Sequence, residues 1–265
     1  MKPKLFLLGL LLSCGLAVQG QEWAKARLEK SPRHGEWVDV KNGDRSIHCF
    51  VAYPEVKNPA AAVIVIHEIF GMTDWVRGVA DQVAEAGYVA IAPDLLSGMG
   101  PNGGGSSDFK SGDDVRNAIF KLTPDKVASD LHAVAEYAKS LPSVNGKLAV
   151  AGFCWGGGQS FNFACHEPDL KAAFVFYGPP PPAAEMKKIQ CPVLGFYAEK
   201  DSRITSTLPK AETDMKAAGK TFEPVTYDGA GHGFMRLGED PGGSAENKAA
   251  RDKAWTRLKD ALKGL

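Results

Sequence analysis

The stretch Lys147-Leu-Ala-Val-Ala-Gly-Phe-Cys-Trp-Gly-Gly157 decides the fold. Its first part, Lys147–Ala151, is a short apolar run typical of a strand buried on both faces. Its second part places Cys154 between Gly152 and Gly156, which matches the strand-to-helix turn G-x-S-x-G with cysteine in the place of serine. Glycines are needed there because the turn is strained and the following helix packs close to the sheet. The alternative interpretation is a tight turn around a buried structural cysteine.

Strands and helices alternate on both sides of this stretch, which predicts an α/β fold built on a mostly parallel central sheet with helices on both faces. The strands are predicted at Ser46–Tyr53, Ala62–Ile66, Tyr88–Ala92, Lys147–Ala151, Ala172–Tyr177, Val193–Ala198 and Phe222–Tyr227. The helices are predicted at Asp74–Ala86, Gln159–Cys165, Ser244–Leu262 and from Thr123, as N-cap, to Ser140. The glycine-rich segment Ser97–Asp113 is predicted to be a mobile loop, either a lid beside a site or plain filler.

Composition excludes several classes of protein. The chain has 265 residues, with 31 basic and 31 acidic side chains and 44% hydrophobic residues. The hydrophobic share is too high for a disordered chain, and a formal net charge of zero gives no electrostatic footprint for nucleic acid. An apolar run of about 18 residues is missing, so we expect no membrane span.

The first twenty residues predict a secretory signal peptide. A basic start is followed by the apolar run Leu5–Val18, and small or aliphatic residues precede a cleavage site before Gln21. We therefore expect a signal peptide at residues 1–20, a single domain at residues 21–265, and a periplasmic or secreted protein. One alternative is a lipoprotein signal with Leu11-Leu-Ser-Cys14 as lipobox, which would place a lipid anchor on Cys14. Another is an N-terminal core helix.

Two later residues are candidate partners for Cys154. Asp201 follows the strand Val193–Ala198, and His232 lies in a glycine-rich loop after the strand Phe222–Tyr227. This is the chain order nucleophile, acid, base that a catalytic triad of this type requires. Glu199 is the alternative acid. The competing interpretations are a helix cap or turn residue for Asp201 and a surface loop residue for His232.

The segment His67-Glu-Ile-Phe-Gly71 begins like a zinc motif but lacks a histidine four residues after His67. We therefore expect no metal site, and the sequence indicates no cofactor. Glu68 falls at the carboxyl end of the predicted strand Ala62–Ile66, where it could hold the thiol proton of Cys154 or orient the nucleophile. The alternative is a solvated loop acid. The remaining histidines are expected to be surface or packing residues: His34, His48, His132 and His166.

Five motifs together resemble the dienelactone hydrolase family, over roughly Ser46 to Leu262. They are His67-Glu-Ile-Phe-Gly-Met72, Ala92-Pro-Asp94, Gly152-Phe-Cys-Trp-Gly-Gly157, Asp201 and Ala230-Gly-His-Gly-Phe-Met-Arg236. The resemblance implies a single-domain α/β-hydrolase fold with a Cys154–His232–Asp201 triad.

The resemblance also implies roles for other residues. The backbone amides of Ile69 and Trp155 would form the oxyanion hole. Glu68 would touch the resting thiol and help to deprotonate it when substrate arrives. Arg236 matches an arginine that binds the substrate carboxylate in the family, and Arg116 is the nearest candidate for a second such arginine.

These residues predict a hydrolase that cleaves a small ester or lactone through a thioester on Cys154. We expect Cys154 to be unpaired, whereas disulfides among Cys49, Cys165 and Cys191 and the oligomeric state stay open. Two other functions compete with hydrolysis. The chain could be a thiol redox protein, because cysteine in an oxidising compartment invites oxidation, or a non-catalytic α/β-hydrolase used for binding.

Overall fold

A mixed eight-stranded sheet forms the centre of the computed structural model, which describes residues 21–265. The strands are β1 Gly35–Asn42, β2 Arg45–Ala52, β3 Ala60–Ile66, β4 Val89–Pro93, β5 Val144–Phe153, β6 Ala172–Phe176, β7 Val193–Ala198 and β8 Phe222–Tyr227. Their order in the sheet is β1-β2-β4-β3-β5-β6-β7-β8. The first two strands are antiparallel to each other, β2 is antiparallel to β4, and all later pairs are parallel. The expected α/β class with a mostly parallel sheet is confirmed.

Ten α-helices accompany the sheet in the described part of the chain. They are α1 Glu22–Leu28, α2 Asp74–Glu85, α3 Gly112–Ile119, α4 Pro124–Ser140, α5 Trp155–Phe163, α6 Ala183–Met186, α7 Ser202–Thr205, α8 Leu208–Ala217, α9 Phe234–Glu239 and α10 Ala245–Leu262. The signal peptide and the lipobox at Cys14 lie outside the described residues. Between residues 21 and 265, none of the helices combines the length and the apolar character that a bilayer crossing needs.

Both faces of the sheet are covered by helices, and β3 shows how the sequence arranges this. Ile64 and Ile66 belong to a core that also contains α4, α5 and α8. Val63 and Val65 point to the other face, into a core that contains α2 and α10. Because neighbouring side chains on a strand point to opposite faces, a strand covered on both sides must be apolar throughout. The continuous run of β3 is therefore the signature of a central strand.

Every predicted strand and helix is present, and several boundaries agree closely. The Thr123 side chain accepts a hydrogen bond from the backbone N–H of Lys126 and so caps α4, as predicted. The helix predicted at Gln159–Cys165 is wrong at its start, because α5 begins at Trp155. The glycines at 156–158 have a low helix propensity, which is why the sequence predicted a later start. In the structure their lack of a side chain allows α5 to begin directly against the sheet.

The sequence prediction missed strand β1 and the helices α1, α3, α6, α7, α8 and α9. Strand β1 is an edge strand in which most residues are exposed or half-buried, so it carries no continuous apolar run. Segment Ser97–Asp113 is more structured than predicted, since it contains two short 3-10 turns. Asp94 holds this segment, because its two carboxylate oxygens accept hydrogen bonds from the Ser106 hydroxyl (2.6 Å) and the Ser106 backbone N–H (2.7 Å). Asp94 follows β4, so the segment is tied to the carboxyl edge of the sheet.

Two glycine-to-alanine substitutions test how closely α5 approaches the sheet. A Cβ at Gly156 would lie 2.5 Å from the Ile66 carbonyl oxygen and would also meet the His67 carbonyl oxygen, whereas a Cβ at Gly78 in α2 would meet nothing within 4 Å. We expect Gly156→Ala to lower the free energy of unfolding by about 2 kcal/mol or more. Gly78→Ala is expected to raise it by about 0.5–1 kcal/mol. Urea denaturation followed by circular dichroism measures both, and equal effects would contradict the close approach.

Candidate active site

Cys154 lies on the turn between β5 and α5 and has a strained backbone. Its φ of 56° and ψ of −116° fall in a region that non-glycine residues rarely adopt, at a cost of about 1–3 kcal/mol. The turn persists because its neighbours leave no room for another arrangement. A Cβ at Gly152 would collide with the Gly156 carbonyl oxygen, and one at Gly157 would collide with the Phe176 carbonyl oxygen. The sulfur is thereby presented at the carboxyl edge of the sheet.

Three side chains from separate strand ends meet in one line of hydrogen bonds. His232 Nε2 lies 3.1 Å from Cys154 Sγ, and His232 Nδ1 lies 2.5 Å from Asp201 Oδ2. Asp201 is buried. A carboxylate can only accept, so Nδ1 carries the ring proton and Nε2 is free to accept the thiol proton. This geometry suits proton transfer from sulfur to imidazole.

Glu199, the alternative acid, does not face His232. Its Oε2 accepts a hydrogen bond from the backbone N–H of Gly229 at 2.7 Å. It therefore stabilises the start of the loop that carries His232.

Tyr177 is a site residue that the sequence analysis missed. Its ring meets the His232 ring edge to face, with centroids 5.1 Å apart and planes at 67°, and it is fully buried. It follows β6 with a φ of 41°, so its backbone is strained like that of Cys154. An aromatic residue before Gly178 at a strand end was the available signal. The contact fixes the tilt of the imidazole.

Two backbone amides converge on the sulfur. The backbone N–H groups of Trp155 and Ile69 lie close enough to Cys154 Sγ to lower the pKa of the thiol. Trp155 is the first residue of α5, and Ile69 follows β3. These are the two amides that the family resemblance assigned to the oxyanion hole. Amides beside the sulfur also lie near the place where an oxyanion would form on a carbon bonded to it.

The thiol of Cys154 is protonated in the resting site. Burial raises its pKa, and the charge of Glu68 raises it further, to about 11, although the two amides and Arg203 act in the opposite direction. At pH 7 about one molecule in ten thousand then carries a thiolate, since each pKa unit is a factor of ten. A nearby base is therefore required for nucleophilic attack.

Glu68 is buried and paired with Arg236. Arg236 Nε donates to Glu68 Oε2 at 2.7 Å, and the guanidinium carbon lies 5.1 Å from the centre of the Phe70 ring. The resemblance implied a contact between Glu68 and the resting thiol, and the hydrogen bonds of the described residues do not include one. The thiol pairs with His232 instead, and Glu68 acts on it through its charge. The alternative interpretation, a solvated loop acid, is excluded by the burial of Glu68.

Two further arginines differ in their relation to the site. Arg116, on α3, forms an ion pair with Asp113 of the same helix at 3.3 Å, and its described contacts do not join it to Cys154, His232 or Asp201. Arg203 was missed by the sequence analysis. Its Nη2 lies 3.9 Å from Asp201 Oδ1, its side chain is two-thirds exposed, and its charge lowers the pKa of Cys154.

One cluster in the described chain has the residue types of a metal site. His132 and Glu136 lie on α4, and Glu167 follows α5, with potential ligand atoms within 4.8 Å of one another. Lys139 Nζ already donates to Glu136 (2.9 Å) and to Glu167 (3.2 Å). The ammonium thus supplies the positive charge that a metal would bring.

The profile of the dienelactone hydrolase family matches residues 47–265. A protein of Yersinia pestis, provisionally named carboxymethylenebutenolidase, is 32% identical over 239 residues, which cover 85% of this chain and 86% of that protein. A relative of the same provisional name in Methylorubrum extorquens is 31% identical over 236 residues, covering 84% of this chain and 78% of the relative. The crystal structure of a provisionally named dienelactone hydrolase from Klebsiella pneumoniae has a TM-score of 0.77 at 27% identity and covers 88% of this chain and 99% of that one.

The effect of Glu68 on the thiol can be measured without any substrate. Replacement of Glu68 by Gln removes the negative charge that raises the pKa of Cys154 and leaves Arg236 unpaired, and both changes favour the thiolate. We expect iodoacetamide to alkylate Cys154 severalfold faster at pH 8, with a lower midpoint in the pH profile. Glu212→Gln, at an exposed position on α8, serves as the matched control and should leave the rate unchanged. An unchanged or slower rate in Glu68→Gln would contradict this account.

Proposed function

The chain belongs to the dienelactone hydrolase family, and we propose that it cleaves small esters or lactones through a Cys154–His232–Asp201 triad and a thioester on Cys154. As a member of this family it is a hydrolase of esters or lactones, with an α/β-hydrolase fold. The proposed triad and thioester are supported by the continuous line of hydrogen bonds from the sulfur of Cys154 to the imidazole of His232 and on to the carboxylate of Asp201.

The first half-reaction forms the thioester. The Cys154 sulfur attacks the carbonyl carbon while its proton passes to His232 Nε2, and Asp201 stabilises the resulting imidazolium. The carbonyl oxygen becomes an oxyanion that accepts hydrogen bonds from the amides of Ile69 and Trp155, each worth about 3 kcal/mol in other hydrolases. When the tetrahedral intermediate collapses, the carbon–oxygen bond breaks and the leaving alkoxide takes the proton from His232.

The second half-reaction releases the acid. His232 Nε2 removes a proton from a water molecule, whose oxygen attacks the thioester carbon, and the same two amides receive the oxyanion. The carbon–sulfur bond then breaks, and the sulfur of Cys154 recovers the proton from His232. Because one histidine serves both halves, its Nε2 must be unprotonated at the start of each.

The resting state of the thiol supports hydrolysis over redox chemistry. Oxidation by peroxides proceeds through the thiolate, and redox cysteines have low pKa values. Burial and the charge of Glu68 instead raise the pKa of Cys154 to about 11. The four cysteines of the described chain are all free, so no disulfide partner supports a redox cycle there. The intact line of nucleophile, base and acid equally disfavours a purely binding role.

The position of Arg236 supports a substrate that carries a carboxylate. Its guanidinium is paired in the resting site with Glu68, whose charge acts on the nucleophile. A carboxylate on the substrate could compete with Glu68 for this partner, in keeping with the role that the resemblance gives to Arg236, and Arg116 would be the second contact. The export predicted from residues 1–20, with a periplasmic or secreted location, completes the proposal.

Turnover of p-nitrophenyl acetate tests the nucleophile. We expect Cys154→Ala to lower kcat/KM about 10³-fold or more, because it removes the atom that forms the intermediate. Cys165→Ala removes a buried thiol at the end of α5 and is expected to keep most of the activity. Mass spectrometry of the acid-quenched wild type should find an acyl group on Cys154. Full activity in Cys154→Ala, or an acyl group on a different residue, would refute the mechanism.

A panel of paired acidic and neutral esters tests the arginines. The double variant Glu68→Gln/Arg236→Ala removes both charges of the ion pair, so the buried site is not left with an unpaired carboxylate. We expect kcat/KM for acidic esters to fall about tenfold or more relative to neutral ones, as for the loss of a charged hydrogen bond. Arg116→Ala, measured in parallel, tests the second position. If a variant loses the same activity on acidic and neutral esters, the substituted arginine does not recognise the substrate carboxylate.

A further inference from the structure

His67 is a buried histidine that the proposed reaction does not use. It directly follows β3 and has no exposed surface. Its ring makes two hydrogen bonds to backbone groups. Nδ1 lies 2.8 Å from the Glu68 carbonyl oxygen, and Nε2 lies 3.3 Å from the backbone nitrogen of Leu95.

These two partners determine where the ring carries its proton. A carbonyl oxygen can only accept, so Nδ1 must be protonated, and a backbone N–H can only donate, so Nε2 must be unprotonated. Burial lowers the pKa of His67, which favours the same neutral form. The ring is therefore a neutral Nδ1–H tautomer, with a donor on one side and an acceptor on the other.

The carbonyl that His67 holds belongs to the peptide group that supplies an oxyanion-hole amide. The C=O of Glu68 and the N–H of Ile69 form one planar peptide unit, and the described chain contains no cis peptide bonds. In a trans peptide the C=O and the N–H point in opposite directions. The hydrogen bonds that hold the Glu68 carbonyl, from His67 and from the Gly71 N–H at 3.2 Å, thus fix the direction of the Ile69 N–H, which lies close enough to Cys154 Sγ to lower the pKa of the thiol.

We propose that His67 is a positioning residue for the oxyanion hole, which holds the Glu68–Ile69 peptide with the Ile69 N–H aimed at the developing oxyanion. This inference rests on the proposed function. The Nδ1–H also withdraws electron density through the carbonyl, and hydrogen bonds in series strengthen one another. The Ile69 N–H is thereby a better donor than an unsupported amide.

His67 also contacts the second amide donor. Its ring stacks on the indole of Trp155, with centroids 5.4 Å apart and planes at 16°. Its carbonyl oxygen faces Gly156, where a Cβ would collide with it. Through Leu95 the same ring is linked to the segment that Asp94 holds. One side chain therefore connects both proposed donors and the end of β4.

Two substitutions separate positioning from packing. In His67→Asn the side-chain amide nitrogen can take the place of Nδ1, which keeps the donor to the Glu68 carbonyl and loses the acceptor for Leu95. In His67→Gln the amide oxygen can take the place of Nε2, which keeps that acceptor and loses the donor. Both variants lose the ring that stacks on Trp155, so they are matched in packing and in the number of lost hydrogen bonds.

The kinetic expectation is a difference between the two variants. With p-nitrophenyl acetate we expect kcat of His67→Gln to lie about tenfold to a hundredfold below that of His67→Asn, with KM values within about twofold of each other. The pH midpoint of Cys154 alkylation by iodoacetamide should rise in His67→Gln and stay near the wild-type value in His67→Asn, because the Ile69 N–H stabilises the thiolate. Equal kcat values and equal midpoints in the two variants would overturn the proposal.

The alkylation readout separates this proposal from the proposed function. If wild-type protein hydrolyses no ester while the two midpoints still differ, the ester hydrolase mechanism fails and the hold of His67 on the Ile69 amide stands. A second test uses only the wild-type protein, so it does not depend on whether a variant folds. The ring ¹⁵N chemical shifts of His67 should report the neutral Nδ1–H tautomer at pH 7, and an Nε2–H tautomer or an imidazolium would overturn the proposal.

Discussion

The close approach of α5 to the central sheet is the constraint on which the rest of the site depends. Glycines occupy each point of contact, because a Cβ at Gly152, Gly156, Gly157 or Gly178 would run into backbone atoms. This close approach gives Cys154 its positive φ in the turn. It also brings the backbone N–H of Trp155, the first residue of α5, close to the sulfur of Cys154. The same approach sets His67 against Trp155. Backbone strain, nucleophile direction and donor placement thus have one steric cause.

This constraint explains which features could be predicted from the sequence. The glycines around Cys154 and the apolar run of β3 are local consequences of burial, so they predicted the sheet and the turn directly. Asp201 and His232 were predicted from their places after β7 and β8, since parallel strands end at one edge. Most of the eight strands and the three side chains in line could therefore be named from residue order alone.

The features that the sequence did not predict depend on contacts between distant segments. The edge strand β1 consists mostly of exposed or half-buried residues, and most of the missed helices are short, so neither carries a long apolar pattern. Tyr177 and Arg203 approach the site only because β6 and α7 lie beside it. The strand end before Gly178 was the one local signal for Tyr177, and the immediate sequence of Arg203 offers none. The partner of Glu68 was misjudged for the same reason. The Glu68 carboxylate had two possible partners, the thiol of Cys154 and the guanidinium of Arg236. A buried carboxylate is stabilised far more by a guanidinium than by a neutral thiol.

The ion pair between Glu68 and Arg236 links the segment that carries His232 to the segment that carries Ile69. Arg236 lies four residues after His232, and Gly233 between them has a φ of 78° and directly precedes α9. A Cβ at Gly233 would lie 3.6 Å from Arg236 Nη2 and 3.7 Å from Glu68 Oε1, so the turn runs directly beside the pair. Removal of one partner from a buried ion pair costs about 3–5 kcal/mol. The segment that delivers His232 to the sulfur is therefore anchored to the residue that precedes Ile69, and the two halves of the site cannot move apart without separating these charges.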